Sequence, residues 1–232
     1  MKLTLDVENV AQKRDGKLHL DPFEPENSLT MIGMLTDTGV ERLVTFDHAE
    51  VEADDFGHTV VQEWLDKATI LIMHNASHDL LWLWESGFKY DGPVFDTMLV
   101  EYVLQRGIKL PLSLEQCAER YKLETQKQDS LKEHLAKGGT TYNMNHAILS
   151  KYLSADLHAT QQLADRLWNR LNTPEDAGLL KTVDLTNEVA VCLSRIYQRG
   201  FKVDLNQLDK VKREYEAERK QLIGYLHSQV CE

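Results

Sequence analysis

The chain has little of what staples, segments or anchors a protein. Among its 232 residues are 3 cysteines, Cys117, Cys192 and Cys231, odd in number and widely spaced. That excludes a disulfide framework and a zinc-binding spacing, and it fits a reducing compartment. With only 5 prolines and 12 glycines, collagen-like and low-complexity readings fall away. No uncharged stretch reaches the ~18 apolar residues that a membrane helix needs. Lys2, Asp6 and Glu8 interrupt the first ten residues, which therefore do not read as a signal peptide. A basic excess is missing too. The 26 Lys+Arg against 37 Asp+Glu leave a net charge of −11, which argues against a general nucleic-acid-coating protein. An enzyme acting on nucleic acid is not excluded, because metal-dependent nucleases concentrate carboxylates at their sites. The acidic excess belongs to the first 180 residues. From Lys181 onward 9 basic residues offset 8 acidic ones.

What is present has a clear order. Leu3, Leu5 and Val7 alternate with Thr4, Asp6 and Glu8, the period of a two-faced strand. Asn9 to Asn27 is polar, with turn signals at Asp15-Gly16 and Asp21-Pro22. Strands are expected over 28–36 and 40–46, joined by the turn Asp37-Thr38-Gly39. Val60, Val61, Trp64, Leu65 and Ala68 recur at helical spacing over 59–68. Thr69 to His74 is a short apolar run of strand length. A helix follows Asn75 and ends at Gly87, a brief strand covers 93–95, and Asp96 caps a helix to about Gln105. Ser113 and Gln116 form a capping box. Lys122 to Met144 is polar, and Asn145 caps a long helix to Leu171. Thr173-Pro174-Glu175-Asp176 opens a helix to Arg199, stopped by Gly200, and a charged helix covers 205–229. Three strands, a helix, a strand, a helix and a short strand, then helices alone, make an α/β start with a helical second half.

The chemistry gathers on carboxylates. Asp6-Val-Glu8 is the only Asp-x-Glu in the chain, and residues i and i+2 of a strand share a face. Two like charges on one face of a central strand are costly unless a cation or proton neutralises them. Asp79 falls in the first turn of the helix after a buried strand, at the sheet edge where open α/β folds collect ligands. Tyr152-Leu-Ser-Ala-Asp156 lies within the long helix, where i and i+4 share a face. Taken singly, each has a plain reading as strand acids, a dipole-favoured helix acid, or a core-edge aromatic with a solvated acid. Together Asp6, Glu8, Asp79 and Asp156 offer hard oxygen ligands that suit Mg²⁺ or Mn²⁺. Two such ions ~3.5–4 Å apart can drive phosphodiester hydrolysis. Trp82 and Trp84 read as core residues of a sheet-packed helix. Lys109, Lys122, Lys127 and Lys132 read as solvated surface, with phosphate contacts as the alternative.

These three motifs, in this order, resemble the exonuclease motifs of the DEDD superfamily. Tyr152, four before the last Asp, marks the tyrosine type; the histidine type carries His at the position of Lys151. That type includes the 3′→5′ proofreading domain of family A DNA polymerases and ribonuclease D. Phe95-Asp96-Thr97-Met98-Leu99, Leu112-Ser113-Leu114 and Ala118-Glu119-Arg120-Tyr121 match as well. His78 departs from the pattern, which often has Phe there. Glu188 to Asp204 resembles the segment entering the polymerase domain of family A enzymes, and the helix after it the start of the thumb. None of the palm or finger motifs is found. The loops resemble phage enzymes more than bacterial ones.

The resemblance implies a ribonuclease H-like mixed sheet flanked by helices over residues 1–172, with a helical extension over 173–232. It implies a metal-dependent 3′→5′ exonuclease that hydrolyses single-stranded DNA 3′ ends to nucleoside monophosphates in replication proofreading, without polymerase activity in this chain. Two divalent cations, Mg²⁺ or Mn²⁺, would be held by Asp6, Glu8, Asp79 and Asp156. Asp6, Glu8 and Asp156 would take the tighter ion, and Glu8 or Tyr152 would orient water. Asn9 and Asn75 are implied as substrate-binding. The expected partners are a single-stranded DNA 3′ end and a polymerase domain or subunit, with no membrane and an intracellular, cytoplasmic location (host cytoplasm if phage-encoded). A ribonuclease D-like RNA 3′ exonuclease and an inactive structural or partner-binding module stand as alternatives. The polymerase-like tail argues against the first and the intact carboxylate set against the second.

Overall fold

The alternation of Leu3, Leu5 and Val7 with polar neighbours becomes β1 (Lys2–Asn9), and this strand is the middle of the sheet. A computed structural model describes residues 1–14, 17–124 and 130–230. The turn expected at Asp15-Gly16, Lys127, Cys231 and the side chain of Lys132 lie outside what is described. β1 runs antiparallel to β4 (Leu29–Thr36) and parallel to β6 (Ile70–Met73). β5 (Glu41–Thr45) and β7 (Val94–Asp96) complete the order β5-β4-β1-β6-β7. A two-stranded ribbon, β2 (Gln12–Arg14) with β3 (Lys17–His19), stands in the polar stretch where no strand was expected. Its residues alternate too little in hydropathy to announce it.

The odd residues of β1 face one layer. Leu3, Leu5 and Val7 pack with Val61 and Leu65 of α1 (Gly57–Lys67) and with Leu80 and Leu83 of α2 (Ala76–Glu85). Trp82 and Trp84 belong to this core, as read from the sequence. The other layer holds α3 (Thr97–Leu104), α4 (Leu114–Tyr121), α5 (Ser130–Ala136) and α6 (His146–Leu171). There Leu163 and Leu167 of α6 pack with Ile72, Phe95 and Val100, while Leu149 and Leu153 pack with Met31. α5 forms inside the stretch read only as polar. Lys109 and Lys122 are exposed. This mixed sheet with helices on both faces is the ribonuclease H-like fold.

α6 comes unusually close to the sheet at one place. Gly33 of β4 is the register partner of Asp6. A Cβ on Gly33 would lie 2.7 Å from Leu157 Cδ1 and 2.9 Å from Leu153 Cγ. Only glycine admits that approach, and it sets Tyr152 and Asp156 beside β1.

α7 (Leu180–Arg199) begins later than Thr173-Pro174 suggested. The Thr173 hydroxyl donates to Arg170 O at 2.7 Å, and the Asp176 carboxylate is held by Arg106 and Arg170. Those bonds shape a turn and a single 3-10 turn, Ala177–Leu179, ahead of the helix. The chain divides into two compact units, Met1–Arg195 and Ile196–Glu232, a division that falls later than the change expected near 172. The first unit extends past that change because Val183 is buried in the α6 core and Asn187 Oδ1 accepts from the Asp96 N–H at 3.0 Å. In the second unit, α8 (Leu205–Val230) carries Leu208, Tyr215, Leu222 and Leu226 at roughly helical spacing, and all four are exposed. No helix among the described residues is long and apolar enough to cross a membrane.

Two outcomes follow. Gly33→Ala overpacks the α6 contact and should lower stability by about 1–3 kcal/mol, read as a fall in melting temperature. An unchanged Tm would show that α6 yields freely. Amides of α8, whose helix buries no described residue, should exchange quickly beside those of Leu71–Met73. Equal protection in the two segments would contradict this.

Candidate active site

β1 is only half paired on one side. β6 meets it from Lys2 to Thr4 and no further. Beyond that point the backbone edge needs another partner, since a buried N–H left alone costs roughly 1–3 kcal/mol. α2 supplies it: the Val7 N–H donates to Asp79 Oδ1 at 3.2 Å, and Asp79 is 2% exposed. The helix can start there because Asn75 takes the left-handed conformation, φ 69°, turning the chain out of β6. The Asn75 and Ala76 N–H groups donate to Asp96 Oδ1 and Oδ2 at 3.0 and 2.8 Å. Asp96 also caps α3 through Met98 N at 2.9 Å and Leu99 N at 3.4 Å. One buried carboxylate therefore fixes two helix N-termini. Its capping of α3 was legible in the sequence; its grip on α2 was not.

α6 brings the remaining groups. The Asn145 side chain accepts from Ile148 N at 3.2 Å, the cap expected from the sequence. Glu50 Oε2 accepts from His146 N at 2.9 Å, a second anchor that no motif announced. Nearly two turns on, the Tyr152 hydroxyl is hydrogen-bonded to the Asp156 carboxylate.

The structure thus brings Asp6, Glu8, Asp79, Tyr152 and Asp156 together. Burial, then the Asp156 charge, pushes the Asp6 carboxyl up to about 8. Burial and the charges of Asp6 and Asp156 hold Glu8 well above the usual carboxylate range. Burial and the Asp6 charge do the same to Asp79, against the Val7 hydrogen bond. Burial raises the Tyr152 phenol far above its ordinary value, helped by Asp156 and Glu8, so it stays an O–H donor. Asn9 sits at the end of β1, with Oδ1 3.0 Å from His78 Nε2. Asn75 is exposed, and its side chain does not cap α2. His74, which no motif singled out, bridges Thr97 Oγ1 at 2.8 Å and Leu112 O at 2.9 Å. Burial lowers it to about 4, so it is a neutral strut.

As the side chains stand, no three His, Cys, Asp or Glu groups among the described residues converge closely enough to hold an ion. The donor chemistry nonetheless fits a hard divalent cation. The donors are carboxylate oxygens, and they raise one another's proton affinity because their charge is uncompensated.

The 3′-5′ exonuclease family model matches residues 20–172. The chain belongs to this exonuclease family. The match starts after Asp6, Glu8 and Asn9, so for those residues geometry speaks alone. Among solved structures, this exonuclease is similar to Brucella melitensis NrnC, at 19% identity and TM-score 0.61, over 88% of this chain and 88% of that one. NrnC bound to pGG and NrnC with bound Mg²⁺ are similar to the same degree, each at TM-score 0.60. The POL domain of Pol1 from M. smegmatis, in complex with DNA primer-template and dNTP, is similar at 17% identity and TM-score 0.63, over 97% of this chain and 34% of that one. At such identities the likeness speaks for the fold. No curated protein sequence matches the chain.

The raised carboxyls set a pH dependence for the metal-free exonuclease. A folded-state value above the unfolded one stabilises the fold at low pH, and the gain is lost as pH climbs through the folded value. For Asp6 that window runs from 3.8 to about 8. In chelator, the wild-type melting temperature should fall from pH 5 towards pH 8 relative to Asp6→Asn, which has no charge to bury. A wild-type curve that rises relative to the variant would show the carboxyl to be ionised at no cost.

Proposed function

We propose that the chain is a metal-dependent 3′→5′ exonuclease that releases nucleoside monophosphates from single-stranded DNA 3′ ends, in the manner of a replication proofreading domain. The observation that carries this is the meeting of Asp6 and Glu8 from β1, Asp79 from α2 and the Tyr152–Asp156 pair from α6. Asp6, Glu8 and Asp156 would hold one divalent cation, Mg²⁺ or Mn²⁺, and Asp79 would anchor a second, largely through waters. When bound, such ions neutralise the carboxylates, acidify water and steady the leaving oxygen. The chain's own part is orientation. Tyr152 remains protonated and can donate to the attacking water or the phosphate, while Asp156 fixes the direction of its O–H. Glu8 can take a proton from that water. Asn9 and Asn75 flank Glu8 and Asp79 in sequence and would contact the terminal nucleotide.

Two features support DNA. Glu188 to Asp204 resembles the entry to a family A polymerase domain, and the likeness to the DNA-bound M. smegmatis Pol1 runs over 97% of this chain. On this reading residues 173–232 lead towards a polymerase part, and the chain works on intracellular DNA. A second reading, an exonuclease acting on RNA ends or short oligonucleotides, is favoured by NrnC bound to pGG, since that similarity covers 88% of both chains.

One gel separates the two: 5′-labelled single-stranded DNA and RNA of one sequence, each with Mg²⁺ and with chelator. A 3′→5′ ladder on DNA that disappears with chelator is expected; faster shortening of RNA would give the second reading the place. Tyr152→Phe should keep its metal-dependent rise in melting temperature yet lose rate, by at most ~10²–10⁴. Mn²⁺ should stabilise the wild type by ~2.7 kcal/mol at 100 times Kd, and Asp6→Ala with Glu8→Ala far less. An equal rise in the double variant would remove these carboxylates from the metal site.

A further inference from the structure

His78 breaks the family pattern, and its ring is partly buried beside the site instead of filling the core as a Phe would. Its Nε2 lies 3.0 Å from Asn9 Oδ1. The Asn9 Nδ2 donates to Val10 O at 2.9 Å. A carbonyl oxygen only accepts, so the nitrogen of the amide must be the atom facing Val10. The Asn9 oxygen then faces His78, and His78 Nε2 must carry the proton. This chain of donors and acceptors leaves the amide one spare Nδ2 proton and one spare Oδ1 lone pair. The register of β1 against β4 slips at this point, from Glu8 opposite Met31 to Asn9 opposite Leu29. Such irregularities re-aim side chains. The next residue along α2, Asp79, grips the Val7 N–H. Consecutive residues of one helical turn therefore hold β1 on either side of Glu8.

We propose that His78 is a positioning residue of the nuclease site: its Nε2–H locks the Asn9 amide in one orientation, so that the spare amide proton is presented beside Glu8 to the terminal nucleotide. The proposal rests on the reading of Asn9 as substrate-binding. A Phe at this position would pack but would leave the Val10 carbonyl as the one described hydrogen-bond partner holding the amide, and an amide that slips from it sets an oxygen where a donor is needed.

Two measurements test it. The first is the ring ¹⁵N spectrum of the whole protein, which reports the tautomer without reference to activity. His78 should be the Nε2–H form in the wild type and lose that preference in Asn9→Leu. The second is steady-state kinetics on single-stranded DNA with Mn²⁺ for Asn9→Ala, His78→Phe, His78→Gln and the Asn9→Ala, His78→Phe pair. One neutral hydrogen bond is worth about a 3- to 10-fold change. Asn9→Ala and His78→Phe should each raise KM by about that factor with little change in kcat, the pair should be no worse than Asn9→Ala alone, and His78→Gln, which keeps a donor, should recover most of the loss. If Asn9→Ala raises KM while a folded His78→Phe does not, or if the two effects multiply in the pair, the positioning role is overturned and the Asn9 reading survives. If Asn9→Ala changes nothing, both fall. An Nδ1–H tautomer in the wild type overturns the proposal even if His78→Phe fails to fold.

Discussion

The hydrogen bond from the Val7 N–H to Asp79 is where the sheet, α2 and the site become one structure. β1 is central, but β6 accompanies it only as far as Thr4. A strand that outruns its neighbour leaves buried donors on the open edge, and a buried donor needs a partner. A carboxylate from a helix start meets the need better than a backbone carbonyl could, because the helix N-terminus favours negative charge. The same bond leaves Asp79 buried beside Asp6, where two like charges raise each other's proton affinity. The site is thus the consequence of how the strand edge is closed.

Everything else around it restricts movement. Asp96 takes the N–H groups that would let α2 fray on both its oxygens and caps α3 with Oδ1. His74 ties the end of β6 to Thr97 and to the backbone at Leu112. Gly33 lets α6 press against the sheet opposite Asp6, which sets the spacing between Asp156 and β1. Hydrogen bonds of this kind are worth little each, but a misplaced carboxylate in a charged site loses its function over short distances. Rigid support is therefore concentrated where like charges would otherwise push apart.

The family match and the geometry cover complementary parts of the chain. The matched residues 20–172 contain Asp79, Tyr152 and Asp156, whereas Asp6, Glu8 and Asn9 precede them. The strand that carries these three is joined to the matched part by its register with β4 and by the two contacts from α2. The fold is shared by nuclease and polymerase structures alike, so the fold itself does not choose a substrate. The choice lies with the residues that meet the terminal nucleotide.

The sequence by itself determined the five strands of the main sheet, most helices and the motif residues, because these rest on local signals. Alternation in β1, the Asn145 and Asp96 caps and the i, i+4 pair Tyr152 and Asp156 all act within a few residues of chain. It misjudged the start of α7, where Thr173-Pro174 looks like a helix opening but Asp176 is drawn into ion pairs with Arg106 and Arg170 from other elements. It missed the β2–β3 ribbon and α5, whose residues carry no strong periodicity. Only the tertiary structure decided that Asp96 serves two helices, that Gly33 admits α6, and that His78 turns to Asn9. These are partnerships between residues 20 or more positions apart, and nothing in the local pattern of either partner records the other. The carboxylates could be named in advance because four acids at a sheet edge are costly in any arrangement; which backbone groups hold them in place depends on where the strand runs out of neighbours, and that is settled only when the sheet is assembled.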